Sequence, residues 1–203
     1  MVLLREIHHR VRNNLQVISS LLELARMRTS SEEANNLLMD SHARIHSMAL
    51  IHSQLYENDR FHEIQMRRHV RQLIANLSRL YGNDKYIATD ITGAQIQLSL
   101  TQAVPCALVL NELISNVYKH AYKEGEKGTL EVHMEQSANG KICIRVKDHG
   151  IGIPEEIDID QTQSLGLKLT RNLVIHQLKG QMQVNRNNGT EVVVEFRPLK
   201  EKV

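Results

Sequence analysis

Four short stretches of this chain carry side chains whose types and spacing can do chemistry. In NELISNVYKHA, Asn111 to Ala121, helical spacing places Glu112, Asn116 and Lys119 within about 60° of arc, beside an apolar face of Cys106, Leu110, Leu113 and Val117. A carboxylate, an amide and an ammonium aligned in this way can serve a metal-bound phosphate, because the amide oxygen is a neutral hard ligand for Mg²⁺. The same spacing also describes the solvated side of an ordinary amphipathic helix. In DHGIGIP, Asp148 to Pro154, a carboxylate follows directly on an apolar strand pattern, where it can accept a hydrogen bond from an exocyclic amine such as that of adenine. Gly150 and Gly152 allow backbone to approach a flat ring, or simply make a strand-end turn. In SLGLKL, Ser164 to Leu169, a hydroxyl, Gly166 and Lys168 stand where a helix begins, and backbone N–H groups at such a terminus attract phosphate. An ordinary helix cap reads the same way. The polar segment from Glu155 to Gln163 between the last two stretches has the makeup of a lid.

The fourth stretch is EIHHRVRNNLQ, Glu6 to Gln16, which offers two imidazoles. With the apolar stripe of Ile7, Val11, Ile18, Leu22 and Ala25 set at about 0–40° on the helical wheel, His8 falls near about 80° and His9 near about 180°. His9 therefore points outward and His8 flanks the core. Asn13 lies at i+4 from His9 on the same outward side. A solvated, histidine-rich helix start has this composition too.

These stretches need elements to hold them. The first 58 residues read as two helices. Leu4, Val11, Leu15, Ile18, Leu22 and Ala25 mark one, and Leu38, Ile45, Met48 and Leu55 the other. Thr29-Ser30-Ser31 followed by Glu32-Glu33 supplies the link and an N-cap with first-turn acids. Such a hairpin buries little by itself, and a symmetric dimer would complete it as a four-helix bundle. Glu57-Asn58-Asp59 is the expected hinge. Beyond it, Met66, Val70, Leu73, Leu77 and Leu80 predict a third helix stopped by Gly82, and Tyr86 to Ile91 a strand. Helices are expected over Ala103 to Ala121 and Leu167 to Leu178, with Pro105 near the start of the first. Period-two alternation predicts strands around Leu130–Met134, Ile142–Val146, Met182–Arg186 and Val192–Phe196. Asn139-Gly140 and Asn188-Gly189 supply hairpin turns. The fold class is α+β, a sheet with helices on one face after an N-terminal helical hairpin.

Composition narrows the classes further. Of 203 residues, 41% are hydrophobic and 24% charged, enough for a packed core, but only 3% are aromatic, so aliphatic side chains must fill it. No run of about 18 apolar residues predicts a membrane span or direct membrane insertion, and the first residues show no signal-peptide pattern. Two cysteines, Cys106 and Cys143, make no disulfide scaffold and point to a reducing, cytoplasmic setting. A net charge of +2 without interleaved aromatics gives no case for nucleic acid, although Arg5, Arg10, Arg12, Arg26 and Arg28 make the first helix basic. His42 and His46, at i and i+4, lack a third ligand at sensible spacing and read as packing or surface residues.

In this order and spacing, the three stretches of the second half resemble the N, G1 and G2 boxes of the GHKL ATPase superfamily, and Asn188-Gly189-Thr190 its weaker terminal box. The resemblance covers roughly residues 60 to 203. It implies a GHKL/Bergerat-type α/β sandwich binding Mg-ATP, with Asn116 as the Mg²⁺ ligand and Asp148 as the adenine anchor. Gly150 and Gly152 would shape the pocket, Glu112 would act as a base or polarise water, and Lys119, His120, Ser164, Gly166, Lys168 and Thr190 would lie near the nucleotide. The first helix resembles the phosphoacceptor signature of a histidine-kinase class related to the HWE kinases, in which a His-Arg pair and nearby asparagines replace the commoner His-acid pair. That resemblance implies a dimerisation and phosphotransfer hairpin at 1–58 and a catalytic ATP-binding domain at 59–203. Here His9 is the expected phosphoacceptor and Asn13 sits where many histidine kinases position a phosphatase water. No acid follows the histidine, so any base must come from elsewhere, with Glu6 and Glu112 as the candidates. The expected function is the core of a two-component sensor, autophosphorylating on histidine and passing the group to an aspartate on a response-regulator receiver domain, with the sensor domain outside this chain. A GHKL-type protein serine kinase and a non-catalytic dimeric phosphotransfer or scaffold module are the competing possibilities.

Overall fold

The computed structural model describes residues 2–57, 63–82, 86–154, 156 and 165–199, and within these the side chains of all but 2–5, 8 and 55–57. The side chain of His8, the hinge around Asn58, Ser164 and all of the expected lid except residue 156 lie outside the described residues.

Helices α1 (Val2–Arg28) and α2 (Glu32–Glu57) form the N-terminal hairpin. Ser31 starts α2, its Oγ accepting from the Ala34 N–H at 3.3 Å while Glu32 and Glu33 fill the first turn. Carboxylates there favour the positive end of the helix dipole, as Arg26 and Arg28 favour the negative end of α1. The seam of the hairpin differs from the stripe expected of α1. Val11, Leu15, Ser19, Leu22 and Arg26 are half-buried, whereas Ile18 and Ala25 are exposed. Among the described residues α1 packs chiefly on α2, and a single neighbouring helix covers a narrower arc than the apolar residues span.

Helix α2 has two working faces. Leu38, Ile45 and Met48 are half-buried on one side, and Ala43, Ser47, Ile51 and Gln54 are buried on the other. The second side meets the rest of the chain: Ser47 Oγ donates to the Ala107 carbonyl and Gln54 Nε2 to Gln72 Oε1.

Two short strands, β1 (Ile64–Gln65) and β3 (Gln97–Leu98), pair antiparallel around α3 (Met66–Tyr81) and β2 (Tyr86–Gly93). They lie outside the sequence-based expectation because two-residue strands carry no periodicity. Helix α4 (Leu100–Asn116) leads into a wide π turn, Val117–Ala121. It begins three residues earlier than its spacing suggests, with the Ser99 carbonyl accepting from Gln102 and Ala103, so Pro105 lies in the second turn. Strands β4 (Lys127–Gln136) and β5 (Ile142–Asp148) follow, then α5 (Leu165–Asn172) with a second π turn at Leu173–Gln177, and the closing pair β6 (Gln181–Asn185) and β7 (Glu191–Phe196).

Among the described residues the main sheet runs β2-β4-β5-β7-β6, with β2 parallel to β4 and the other pairs antiparallel. Alternation sends Leu130, Val132, Met134, Ile142, Ile144, Val146, Val192, Val194 and Phe196 into the core. Cys106, Ala107, Leu110 and Ile114 of α4 and Val70, Leu73 and Leu77 of α3 complete it. Both cysteines are free and buried, and burial pushes the Cys106 thiol up to about 12.

His69 on α3 is fully buried, and neither ring nitrogen has a hydrogen-bond partner among the described residues. Burial, with a smaller contribution from nearby His46, pulls it from 6.5 down to about 3. The unfolded imidazole therefore takes up a proton below about pH 6.5 that the folded one refuses until about pH 3. Stability should fall on acidification through that window, by about 1 kcal/mol per pH unit from this group. His69→Leu should remove this component of the pH dependence without lowering stability at pH 7.5, as urea unfolding at a series of pH values would report. An unchanged slope in the variant would contradict the assignment.

Candidate functional site: a cavity beside the helical hairpin

A cavity of about 790 Å³ opens where the end of α4 and its π turn meet the ends of β5 and β7, a volume within the range of sites for drug-sized ligands. Its walls are largely aliphatic, from Leu113, Val117, Val146, Ile151, Ile153, Leu167 and Val192. Asn116, Lys119, His120, Asp148, Gly152 and Thr190 supply its polar edge. Six of the residues singled out from the sequence, contributed by three separate stretches, thus line one space.

Asp148 is held in a fixed orientation. It is 4% exposed, and its Oδ1 accepts from the Gly150 N–H at 2.9 Å and the Thr190 N–H at 3.2 Å. Two N–H donors on one oxygen fix the carboxylate plane, so it presents a directed acceptor to an exocyclic amine. Two glycines permit this geometry. A Cβ on Gly150 would strike the Ala121 carbonyl, which accepts from the Ile151 N–H at 2.9 Å. Gly189, at φ +102, lies against the Asp148 carbonyl.

The π turn decides the direction of the cationic edge. Its extra residue per turn follows directly on Asn116 and carries Lys119 and His120 onto the cavity. Tyr122 anchors the exit. Its hydroxyl donates to the Thr129 carbonyl at 2.8 Å and accepts from the N–H groups of Thr129 and His149 at 3.0 and 2.9 Å. This ties the π turn to β4 and to the glycine loop. Sequence spacing ends the expected helix at Ala121 and carries no signal for the role of Tyr122.

Other residues singled out from the sequence stand apart from the cavity lining. Glu112 is buried, and Arg44 of α2 donates to its two oxygens from Nε at 2.8 Å and Nη2 at 2.9 Å. That carboxylate holds the Arg44 guanidinium above its usual range, against the opposing effect of burial. A Cβ on Gly166 would lie 2.7 Å from Glu112 Oε2, so the start of α5 packs directly on this pair. Lys119 is also claimed from α2, its Nζ lying 2.9 Å from each Asp40 oxygen. Tyr81 donates to Asp40 Oδ1 at 2.8 Å. Burial and the Asp40 charge raise its phenol far above the usual range and keep it a donor. Lys168 is exposed on α5, and His9 and Asn13 are exposed on α1. Glu6, the other acid near the histidines, receives Arg10 Nε at 2.8 Å. The His42 and His46 rings lie near each other, tilted by 38° with centroids 6.3 Å apart.

Comparison with known proteins gives the arrangement a family. Residues 6–81 match the family model described as histidine kinase, and residues 101–200 the model described as histidine kinase-, DNA gyrase B- and HSP90-like ATPase. The chain belongs to the histidine kinases. Its phosphoacceptor-type region is of the HWE-related kind and its ATPase region is of GHKL type. The sensor histidine kinase PdtaS of Mycobacterium tuberculosis is 31% identical over 194 residues, spanning 94% of this chain. The blue-light-activated histidine kinase 2 of Erythrobacter litoralis is 23% identical over 200 residues, spanning 95% of it. The chain spans 38% and 56% of the lengths of these two relatives. In structure, it superposes on the histidine kinase domain of the Erythrobacter litoralis EL346 blue-light-activated kinase with a TM-score of 0.70 at 18% identity, covering 89% of this chain and 95% of that one. That likeness concerns the fold: an N-terminal helical region followed by a GHKL-type sheet domain.

The partners that sequence reasoning missed in this kinase chain are Asp40, Arg44 and Tyr81. Their only local signal is the i, i+4 spacing of Asp40 and Arg44 on α2, which many solvated helix faces share.

Proposed function

We propose that this chain is the core of a two-component sensor histidine kinase, transferring the γ-phosphoryl group of ATP to His9 and then to an aspartate of a response-regulator receiver domain. Residues 1–58 serve as the dimerisation and phosphotransfer hairpin and residues 59–203 as the ATP-binding domain, acting in the cytoplasm. The observation that carries this proposal is the cavity. Asp148, held by two N–H groups, lines it together with Asn116 and Lys119, in a chain whose first helix exposes His9.

The residues present fit Mg-ATP. Asp148 would accept from the adenine amine, the aliphatic walls would enclose the ring, and Thr190, His120 and Lys119 would meet more polar parts of the nucleotide. The Asn116 amide oxygen suits Mg²⁺, which would neutralise phosphate charge as it develops. Ser164, Gly166 and Lys168 belong to the stretch whose helix-start N–H groups and added charge would attract the phosphates. A neutral ring nitrogen of His9 attacks the γ-phosphorus. The N–P bond forms as the bond to the bridging oxygen breaks, ADP leaves, and the imidazole proton passes to a base. Both carboxylates considered for that base, Glu6 and Glu112, are paired to arginines in this arrangement. Positioning and charge neutralisation supply most of the acceleration in such transfers.

Incubation with γ-labelled ATP tests the proposal. The chain should acquire label that is lost in acid and kept in alkali, as a phosphoramidate behaves. Acid-stable label would instead indicate a serine kinase, and no label a scaffold.

Dimerisation follows from the outer face of the hairpin. Val17, Leu21, Leu24 and Met27 are all more than half exposed, with Ile7 and Ile18 close by. A second copy covering these side chains would complete a four-helix bundle. Light scattering at micromolar concentration should give twice the chain mass of 23.3 kDa. A clean monomer would contradict this assignment.

A further inference from the structure

Asp40 and Arg44 stand one helical turn apart on α2, and opposite them Lys119 and Glu112 stand seven residues apart on the α4 and π-turn segment. The pairing is crossed in sign: the hairpin presents minus then plus, and the ATP-binding domain presents plus then minus. Arg44 bridges both Glu112 oxygens, and Lys119 lies between both Asp40 oxygens. Lys119 Nζ also lies 5.8 Å from the ring centre of Tyr81, whose hydroxyl holds Asp40 in place. A slip of α2 by one turn would set like charges together, so these two pairs select one register of the hairpin on the domain.

Lys119 belongs to two structures at once. It lines the nucleotide cavity, and it is held by a carboxylate from the hairpin. An anion entering the cavity beside Lys119 approaches Asp40 as well, and like charges at close range repel. The Asp40–Lys119 pair is one-quarter exposed on both sides, so its strength is within reach of a ligand that binds in the micromolar range.

The docked register also has a consequence for His9. With the link centred near residue 30, antiparallel α1 and α2 bring residue 9 level with about residue 51. Arg44 and Asp40 lie 7 and 11 residues nearer the link, about 10–17 Å along the axis at 1.5 Å per residue. The contacts therefore hold the cationic edge of the cavity below the level of the histidine.

We propose that Asp40 is an internal competitor for the phosphates of the nucleotide, so that docking of α2 on the ATP-binding domain and phosphate binding at Lys119 oppose one another. The arrangement with both pairs formed is then a closed state of lower nucleotide affinity. By reciprocity, the nucleotide weakens the docking by the same factor that docking weakens the nucleotide. This inference rests on the nucleotide-binding role proposed above, and it adds a regulatory contact to that role.

The test compares Asp40→Asn and Asp40→Ala with the unaltered chain, measuring dissociation constants for MgATP and for adenosine by calorimetry. Adenosine fills the base end of the cavity and carries no phosphate. MgATP should bind about 3- to 10-fold more tightly to both variants, the range expected for removing one partly exposed ion pair and its repulsion. Adenosine should change by less than about 2-fold on the same scale. In the unaltered chain, MgATP should speed amide hydrogen exchange in α2 around residues 40–47, and adenosine should not. Equal gains for both ligands, unchanged MgATP affinity in both variants, or α2 exchange indifferent to MgATP would each overturn the competition. Failure of the unaltered chain to bind either ligand would overturn the nucleotide-binding role itself. Normal binding of both ligands with indifferent Asp40 variants would overturn the competition alone.

Discussion

His9→Gln is expected to abolish the acid-labile phosphoryl label, a loss of at least about 10³-fold of the kind seen when a nucleophile is removed, while MgATP binds as before. His9 is exposed on α1, and the cavity residues begin more than a hundred positions later in the chain. Glutamine keeps a polar side chain of similar reach and a good helix propensity but offers no nucleophilic ring nitrogen. His8→Gln should retain appreciable labelling. Counted at 100° per residue, position 8 falls on the side of α1 that includes Val11, Leu15 and Leu22, the half-buried seam with α2, and position 9 falls well away from it. The opposite outcome, with His8 essential and His9 dispensable, would reverse the assignment. Mass spectrometry of the labelled peptide under neutral conditions identifies the modified ring directly.

Asn116→Ala is the second large effect. Asn116 is the last residue of α4, half-buried, and lines the cavity where the π turn begins. Its amide is a neutral hard donor at the polar edge that also carries Lys119 and Asp148. Removing it should cut Mg-dependent phosphorylation by about 10²-fold or more, the scale on which loss of a charge-stabilising group slows such reactions. Adenosine should bind nearly as before, because Asp148 is held through Gly150 and Thr190 and not through Asn116. The thermal midpoint should move little, since the side chain is only partly buried. A variant with normal labelling would remove Asn116 from the metal site.

Much of this kinase core was readable from one-dimensional pattern because the interactions responsible are local. Ser31 with Glu32 and Glu33 starts a helix wherever it occurs, since a hydroxyl and two carboxylates answer the unpaired N–H groups of the first turn. Leu130, Val132 and Met134 alternate with polar residues because a strand sends successive side chains to opposite faces. Asp148, Gly150 and Gly152 at a strand end, Asn116 on a helix and the glycine-threonine turn at Thr190 carried the family resemblance, and the fold brings these three stretches to one cavity.

The remainder was settled only by the tertiary structure. The arc of α1 that is covered depends on how many helices surround it, which no residue of α1 encodes; hence Ile18 and Ala25 remain exposed although their spacing marks them as core. The π turn at Val117–Ala121 has the composition of ordinary helix, and packing against the glycine loop and Tyr122 sets its wider path. Glu112 illustrates the limit most clearly. Spacing placed it with Asn116 and Lys119 as a candidate base, and the folded chain buries it against Arg44, 68 residues earlier, as it gives Lys119 to Asp40, 79 residues earlier. Opposite charges so far apart in sequence have many alternative partners. Only the packing of α2 on α4, driven by buried surface, brings these particular pairs within reach of one another, and the pairs then favour one register of that packing.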